Sequence, residues 1–388
     1  MSDFLSWPQI ILGMGLRFWP VWIALALSFA VSIRWKRRLG LYGRLFDSSV
    51  GMIGFGIVMF WFFTAIFADL IITHAPLAQL SGMKNALPGA PLKSPVPGAY
   101  GHYLLGGDSL ARDVFSRMVM GARRVLAIAP AATAFAFMVG ITLGLPAGYI
   151  GGRLDTALSF LANLVLAFPV ILLFYLLVTP EIRQTGIPTV LAALLFIFPV
   201  ILLCVLWNSR YFTNPKKRNA CVALTLALGL WAYSGLAFNA DPLGLWSMDP
   251  NLLNVFVSVV FVNAPTVFRI TRGLTMDLKS RDYVAAAQTR GEGPWYIMLW
   301  EILPNARGPL IVDFCLRIGY TTILLGTLGF FGLGVSPESP DWGSTIDDGR
   351  KLLALFPHPA LTPAFALMSL VLGLNLLADG LREESMKD

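Results

Sequence analysis

Long apolar runs, separated by short polar stretches marked with proline or glycine, set the organisation of this chain. A helix crossing a bilayer takes about 20 mostly apolar residues. Nine segments meet that requirement, roughly 8–33, 48–72, 125–149, 156–179, 187–209, 219–238, 251–270, 309–332 and 360–380. The run 309–332 carries Asp313 and Arg317 near its start. They stand four apart on one helix face, where pairing lowers the cost of burying them.

Two polar intervals have patterns of their own. Residues 74–101 are rich in proline and glycine (Pro76, Pro88, Pro91, Pro95, Pro97) and read as irregular chain. From Asp108 to Arg124 the pattern changes, because Leu110, Val114 and Met118 recur every four residues and Asp113 can pair with Arg117. That spacing predicts an interfacial helix capped by Asp108 or Ser109. The second interval, Arg281–Asn305, predicts two short helices broken at Gly291, Glu292, Gly293 and Pro294. Ala285, Ala286 and Ala287 favour helix, the glycines interrupt it, and Pro294 suits the first turn of a new one. On that second helix Trp295, Leu299 and Ile302 share one apolar face. Such a helix-turn-helix suits two roles: a handle for a partner protein, or a helix resting on the lipid surface.

Composition removes the soluble classes. The chain has 388 residues, 56% hydrophobic and 13% charged, and its mean hydropathy is +0.69. Soluble domains carry about 25% charged residues. The net charge of +7 therefore calls for no nucleic acid, since basic residues gather in cytoplasmic loops beside anionic lipid. With the N-terminus outside, the inner loops hold twice as many Lys and Arg residues as the outer ones, and Arg281–Asn305 falls in the cytoplasm. Arg123 and Arg124, outside and directly against a span, run against that rule. The first apolar run is expected to be a retained helix rather than a secretory signal, because Asp3 and no cation precede it until Arg17.

Chemistry on this chain is not expected. It has no phosphate-binding G-x-x-x-x-G-K-[ST] loop, no H-E-x-x-H, no C-x-x-C and no G-x-S-x-G. Cys204, Cys221 and Cys315 lie in or beside apolar runs without metal spacing, and His74, His102 and His358 are scattered. No catalytic residue, metal site or cofactor is expected here. The polar residues Asn163, Asp313, Arg317 and Asn375 are candidates for a permeation path, with hydrogen bonding to neighbouring helices as the plainer explanation.

The Arg281–Asn305 segment resembles the cytoplasmic loop of importer-type ABC permeases, whose pattern is E-A-A, three residues, Gly, then Leu-Pro. Ala285, Ala286 and Ala287 stand at the E-A-A position, with alanine for the glutamate; Gly291 follows, and Leu303-Pro304 closes the pattern. LLGGDSLARDVFSRMVMGAR (Leu104–Arg123) resembles the G-T-D-x-x-G-R-D-V-x-S-R-x-x-x-G-A-R element of the dipeptide, oligopeptide and nickel importers, with Gly107 for the usual Thr and Ala111 for the usual Gly. Gly148–Pro169, Leu328–Arg350 and Asn375–Glu383 are similar to later parts of the C-type permease of that subfamily, in the same order.

The resemblance implies an all-α polytopic protein of the bacterial inner membrane, with a six-helix type I ABC importer permease core. That core would be 48–72, 125–149, 156–179, 251–270, 309–332 and 360–380, leaving about three extra transmembrane helices. The organisation expected is 1–47 as an extra helix and basic loop; 48–124 as the first core helix and outer loop; and 125–384 as the permease domain. Within the last lie an inserted hairpin, about 183–241, and a coupling loop, about 273–307. The extra helices are expected at the lipid-facing periphery. The resemblance further implies a B-type permease partner, two cytoplasmic ATPases carrying ATP and Mg, and an extracytoplasmic solute-binding protein. Its coupling residues would be Tyr283, Ala285, Ala286, Ala287, Gly291, Gly293, Pro294, Trp295, Leu299, Leu303 and Pro304, with Trp295, Leu299 and the Gly291 break making the mechanical contact. The expected cargo is short peptides or related small solutes. A self-sufficient carrier using Asp313 and Arg317, or a scaffold subunit, are the competing readings.

Overall fold

The computed structural model describes residues 4–94, 100–241, 243–246, 248–333 and 339–385. Pro95 and Pro97, and Gly334–Glu338 of the Leu328–Arg350 motif, lie outside the described residues. Among the described residues seven helices are long and apolar enough to cross a membrane, and two sharply bent pairs raise the number to nine if each is one span. The chain separates into two compact units, residues 1–130 with 315–388, and residues 131–314.

The first unit opens with α1 (Trp7–Arg17) and α2 (Trp19–Trp35). The single straight span expected over 8–33 is instead bent by 59°. Pro20, in the first turn of α2, has no N–H for the carbonyl four residues back, and its ring crowds that carbonyl. Helix α3 (Ser49–Ile66) is capped by Ser48, whose hydroxyl accepts from the Gly51 N–H at 3.3 Å. It packs on the last helix of the chain through glycine: a Cβ on Gly380 would collide with the Gly51 backbone. Small residues allow such close helix approach where lipid supplies no hydrophobic drive.

The segment after α3 differs from the expectation. The described residues of 74–101 are largely irregular apart from β1 (Ala90–Pro91), which pairs antiparallel with β2 (His102–Tyr103). No separate interfacial helix forms over 108–124. Residues 108–113 are a folded turn, and helix α4 (Val114–Ile150) runs unbroken for 37 residues. Asp113, not Asp108 or Ser109, meets its first turn, accepting from the N–H groups of Phe115 at 3.3 Å and Ser116 at 3.2 Å. Val114, Phe115, Val119 and Ala122 are fully buried, whereas of the rest of the four-residue repeat Leu110 is exposed and Met118 half-buried, so the packed face of the helix does not follow that repeat.

In the second unit α4 continues beside α5 (Gly152–Leu166) and α6 (Val170–Val178). These two were expected as one span over 156–179 but bend by 81° at Pro169, which precedes the first residue of α6. Then follow α7 (Ile187–Arg210), α8 (Pro215–Phe238), α9 (Pro250–Leu278), α10 (Asp282–Thr289) and α11, a continuous run Pro294–Phe330 whose later part belongs to the first unit. Gly140, Gly144 and Gly148, one per turn of α4, face Val267, Thr271 and Thr275 of α9, where added Cβ atoms would lie 2.5 to 2.8 Å away. That stripe brings α4 and α9 together. Helix α7 joins them through Phe196, whose ring lies 5.2 Å from Phe135 and 5.7 Å from Phe256. The first unit is completed by α12 (Trp342–Arg350) and α13 (His358–Ser385).

Candidate functional site

The Arg281–Asn305 segment folds as a small body on the ends of α4 and α9. Helix α10 starts after Arg281 and ends at a left-handed glycine, Gly291, with φ of 78°. The Gly291 N–H donates to the Gln288 carbonyl at 3.0 Å, and the Glu292 N–H reaches the Ala287 carbonyl at 3.2 Å. This paired arrangement closes helices where glycine takes the left-handed position. Gly293 is extended, and Pro294 begins α11.

The second short helix is therefore not separate. It is the first part of α11, joined to the span by a π turn over Ile297–Ile302. Pro304 follows after Leu303; lacking an N–H, it cannot bond the Trp300 carbonyl, and a wider turn accommodates that loss.

Burial sorts the expected coupling residues into two sets. Val284 and Ala287 of α10 pack with Ile297, Met298, Leu299 and Ile302, on Leu145 of α4. Tyr283 and Leu303 are half-buried against the same core. Ala285, Ala286, Gly291, Gly293, Pro294, Trp295 and Pro304 are exposed. Leu299, expected beside Trp295 on the contact face, is only 3% exposed and points inward, which leaves Trp295 outermost. The repeat Trp295, Leu299, Ile302 assumed an ideal helix, and the π turn shifts its phase.

Polar contacts hold the edges. Arg290 pairs with Glu301 at 2.8 Å, tying the end of α10 to α11. Gln288 Nε2 donates to the Tyr149 hydroxyl at 3.1 Å, and Lys279 Nζ to the Gly148 carbonyl at 2.9 Å. Arg272 of α9 grips Asp155 of α5, with Nη2 to Oδ2 at 2.6 Å. Burial raises the Tyr283 phenol above its ordinary value, opposed by Arg281 and reinforced by Glu301 and Asp277.

The candidate intramembrane polar residues lie on three helices. Asn163 is exposed on α5 and Asn375 on α13. Asp313 and Arg317 are half-buried one turn apart on α11, and each has a partner.

In the first unit two motifs distant in sequence meet, which spacing along the chain did not reveal. Arg112 Nε donates to Asp108 at 2.6 Å, and its Nη2 to Asp348 of α12 at 2.7 Å. Arg117 does not pair with Asp113; it donates to the Thr345 hydroxyl at 3.0 and 3.2 Å. Asp113 instead accepts from the hydroxyls of Thr73 and Ser116, both at 2.6 Å. The Trp342 indole donates to the Met118 carbonyl at 2.8 Å. Ala111, standing where the resembled motif has Gly, takes the left-handed conformation with φ of 64°. Arg123, at odds with the charge rule, spends its charge on Asp69 at 2.8 Å and on the Ala65 carbonyl near the end of α3.

Residues 222–383 match the family model described as binding-protein-dependent transport system inner membrane component. The chain is 31% identical over 279 residues to the glutathione transport system permease protein of Pectobacterium atrosepticum, covering 72% of this chain and 70% of that protein. The chain belongs to this permease family. A dipeptide transport system permease protein of Alkalihalophilus pseudofirmus is 28% identical over 314 residues, 81% of this chain and 80% of that one. A di/tripeptide transport system permease protein of Pseudomonas aeruginosa is 27% identical over 321 residues, covering 83% and 82%. The permease is thus a multi-pass inner-membrane subunit of an ABC importer of the dipeptide and oligopeptide type, as the motifs implied. It is a transport subunit, with ATP hydrolysis on separate subunits, and it works with other permease, ATPase and binding-protein subunits.

Proposed function

We propose that this permease forms half of the translocation path for short peptides, and that Asp282–Glu301 is where cytoplasmic ATPases take hold. The observation that carries this reading is the division of that element: an exposed rim of Ala285, Ala286, Gly291, Gly293, Pro294 and Trp295 over a buried core of Val284, Ala287, Ile297, Met298, Leu299 and Ile302. Small residues and a backbone turn on the rim admit a groove of a partner closely, and the single large side chain, Trp295, offers an apolar anchor of the type enriched at interface centres. The core beneath makes the element stiff enough to carry displacement into α9 and α11.

The complete importer in this reading has a B-type permease, two ATPases binding ATP and Mg, and an extracytoplasmic solute-binding protein. ATP binding closes the ATPases, the element moves with them, and the two permeases alternate between outward and inward openings. Peptide cargo rests on the glutathione, dipeptide and di/tripeptide named for the three relatives, all small peptides with charged ends.

The test is reconstitution with the partner chains and labelled dipeptides and glutathione. Uptake should require ATP, both ATPases and the binding protein. Accumulation by this chain alone, driven by an ion gradient and indifferent to ATP, would sink the reading in favour of a secondary carrier.

A further inference from the structure

Helix α7 does something that a helix facing only lipid does not need to do. At its last turn, Ser209 is 8% exposed. Its hydroxyl donates to the Leu206 carbonyl at 3.0 Å and accepts from the Trp300 indole N–H at 3.1 Å, which uses one donor and one lone pair of the group. Next to it the Arg210 guanidinium lies 4.7 Å from the centre of the Trp300 ring. Arg210 thereby satisfies two fields at once, the ring face and the negative end of its own helix. One and two turns back, Leu206, Val205 and Leu202 pack against the core of the Asp282–Glu301 element.

The residue so held sits at a sensitive point. Trp300 lies in the π turn Ile297–Ile302, four residues before Pro304. A π turn carries longer hydrogen-bonded rings than an α-helix and is easily rewound, and Pro304 withholds the bond that would stiffen it. Displacement entering at α10 and Trp295 must cross this turn to reach the transmembrane part of α11. Left unsupported, the turn absorbs the motion.

We propose that α7 is a brace for the element, with Ser209 and Arg210 as positioning residues that clamp Trp300 so that movement of Asp282–Thr289 reaches α11. The hairpin α7–α8 is then part of the transmission rather than a peripheral accessory. This rests on the reading of Asp282–Glu301 as the ATPase-coupling element.

The experiment uses the chain in nanodiscs with its co-purified ATPases and permease partner, and follows backbone hydrogen exchange with and without ATP. In the wild-type complex ATP should change exchange in both Asp282–Thr289 and Leu303–Leu310. In Ser209→Ala/Arg210→Glu the change should persist in the first segment and fall at least fivefold in the second. Arg210→Lys, which keeps a cation over the ring, should restore most of it, and Trp300→Phe, which keeps a ring without the N–H, should fall between. Co-purified ATPases serve as the check that each variant is folded. Equal transmission in the wild type and Ser209→Ala/Arg210→Glu would overturn the brace. Absence of any ATP response at Asp282–Thr289 in the wild type would instead remove the coupling reading, and the brace with it.

Discussion

The segment from Asp108 to Arg117 and the element from Asp282 to Glu301 are both polar chain next to spans, yet they are held in opposite ways. The first is knit by buried charge. Asp108, Arg112, Asp113 and Arg117 are each no more than 5% exposed, and their partners include Asp348 and Thr345, more than 200 positions away in sequence. The second is held by a small apolar core that α4 and α7 help to complete, with its charges at the rim: Arg290 is half-exposed where it meets Glu301. Buried ion pairs hold one geometry, because breaking either partner leaves a charge without water. A local apolar core with an exposed rim leaves a surface for others to grip. The contrast separates a part that holds one geometry from a part that keeps an open surface, the one proposed for the ATPases.

The sharpest way to break this comparison is Arg112→Ala, which removes the cation shared by Asp108 and Asp348 and leaves buried Asp108 only the longer contact to Arg117, at 3.8 Å. The cost should be about 3 kcal/mol or more, read as a lowered unfolding temperature of the detergent-solubilised chain. A loss within a few tenths of a kcal/mol would mean that the cluster is not structural. Gly291→Val comes next. A β-branched residue at this positive φ is strained by about 1 to 2 kcal/mol, so exchange of the Ala285–Gly293 amides should quicken roughly tenfold. ATP hydrolysis should continue while uptake falls. Coupled uptake at the wild-type rate would remove Gly291 from the mechanism.

Smaller effects sharpen the contrast. Glu301→Gln breaks a rim pair that solvent screens, so its stability cost should stay below about 1 kcal/mol, several-fold less than Arg112→Ala. If the two losses match, buried and exposed pairs are not distinguished as argued. Ala111→Gly should raise stability by about 0.5 kcal/mol, since relief of the left-handed strain slightly exceeds the entropy gained by the unfolded chain. A decrease on denaturant titration would show that Ala111 packing against its neighbours outweighs its backbone strain.

Much of the architecture was legible in order along the chain. The nine apolar runs correspond to seven long helices and two bent pairs, and the break at Gly291 with a new helix at Pro294 lies where glycine and proline chemistry put it. The bends themselves were readable in principle, because Pro20 and Pro169 were visible inside apolar runs that hydropathy alone treats as continuous. The phase of α11 was not readable. The Trp295, Leu299, Ile302 repeat presumes 3.6 residues per turn, and the π turn breaks that presumption. The Asp113–Arg117 pair failed for a different reason: four-residue spacing allows a contact, but Ser116 in the same turn, and Thr73 and Thr345 from elsewhere in the chain, compete for the same groups.

By itself, the sequence marked out the nine apolar runs long enough to cross a bilayer and, through its motifs, the permease family. A bilayer imposes its length and apolarity on each segment separately, and the family motifs are contiguous strings. Only the tertiary structure decided which polar residues are buried, which face of the Asp282 element is left outward, and that Arg210 reaches Trp300. Those outcomes depend on competition among residues remote in sequence for the same hydrogen bonds and the same space, and no local window contains the competitors.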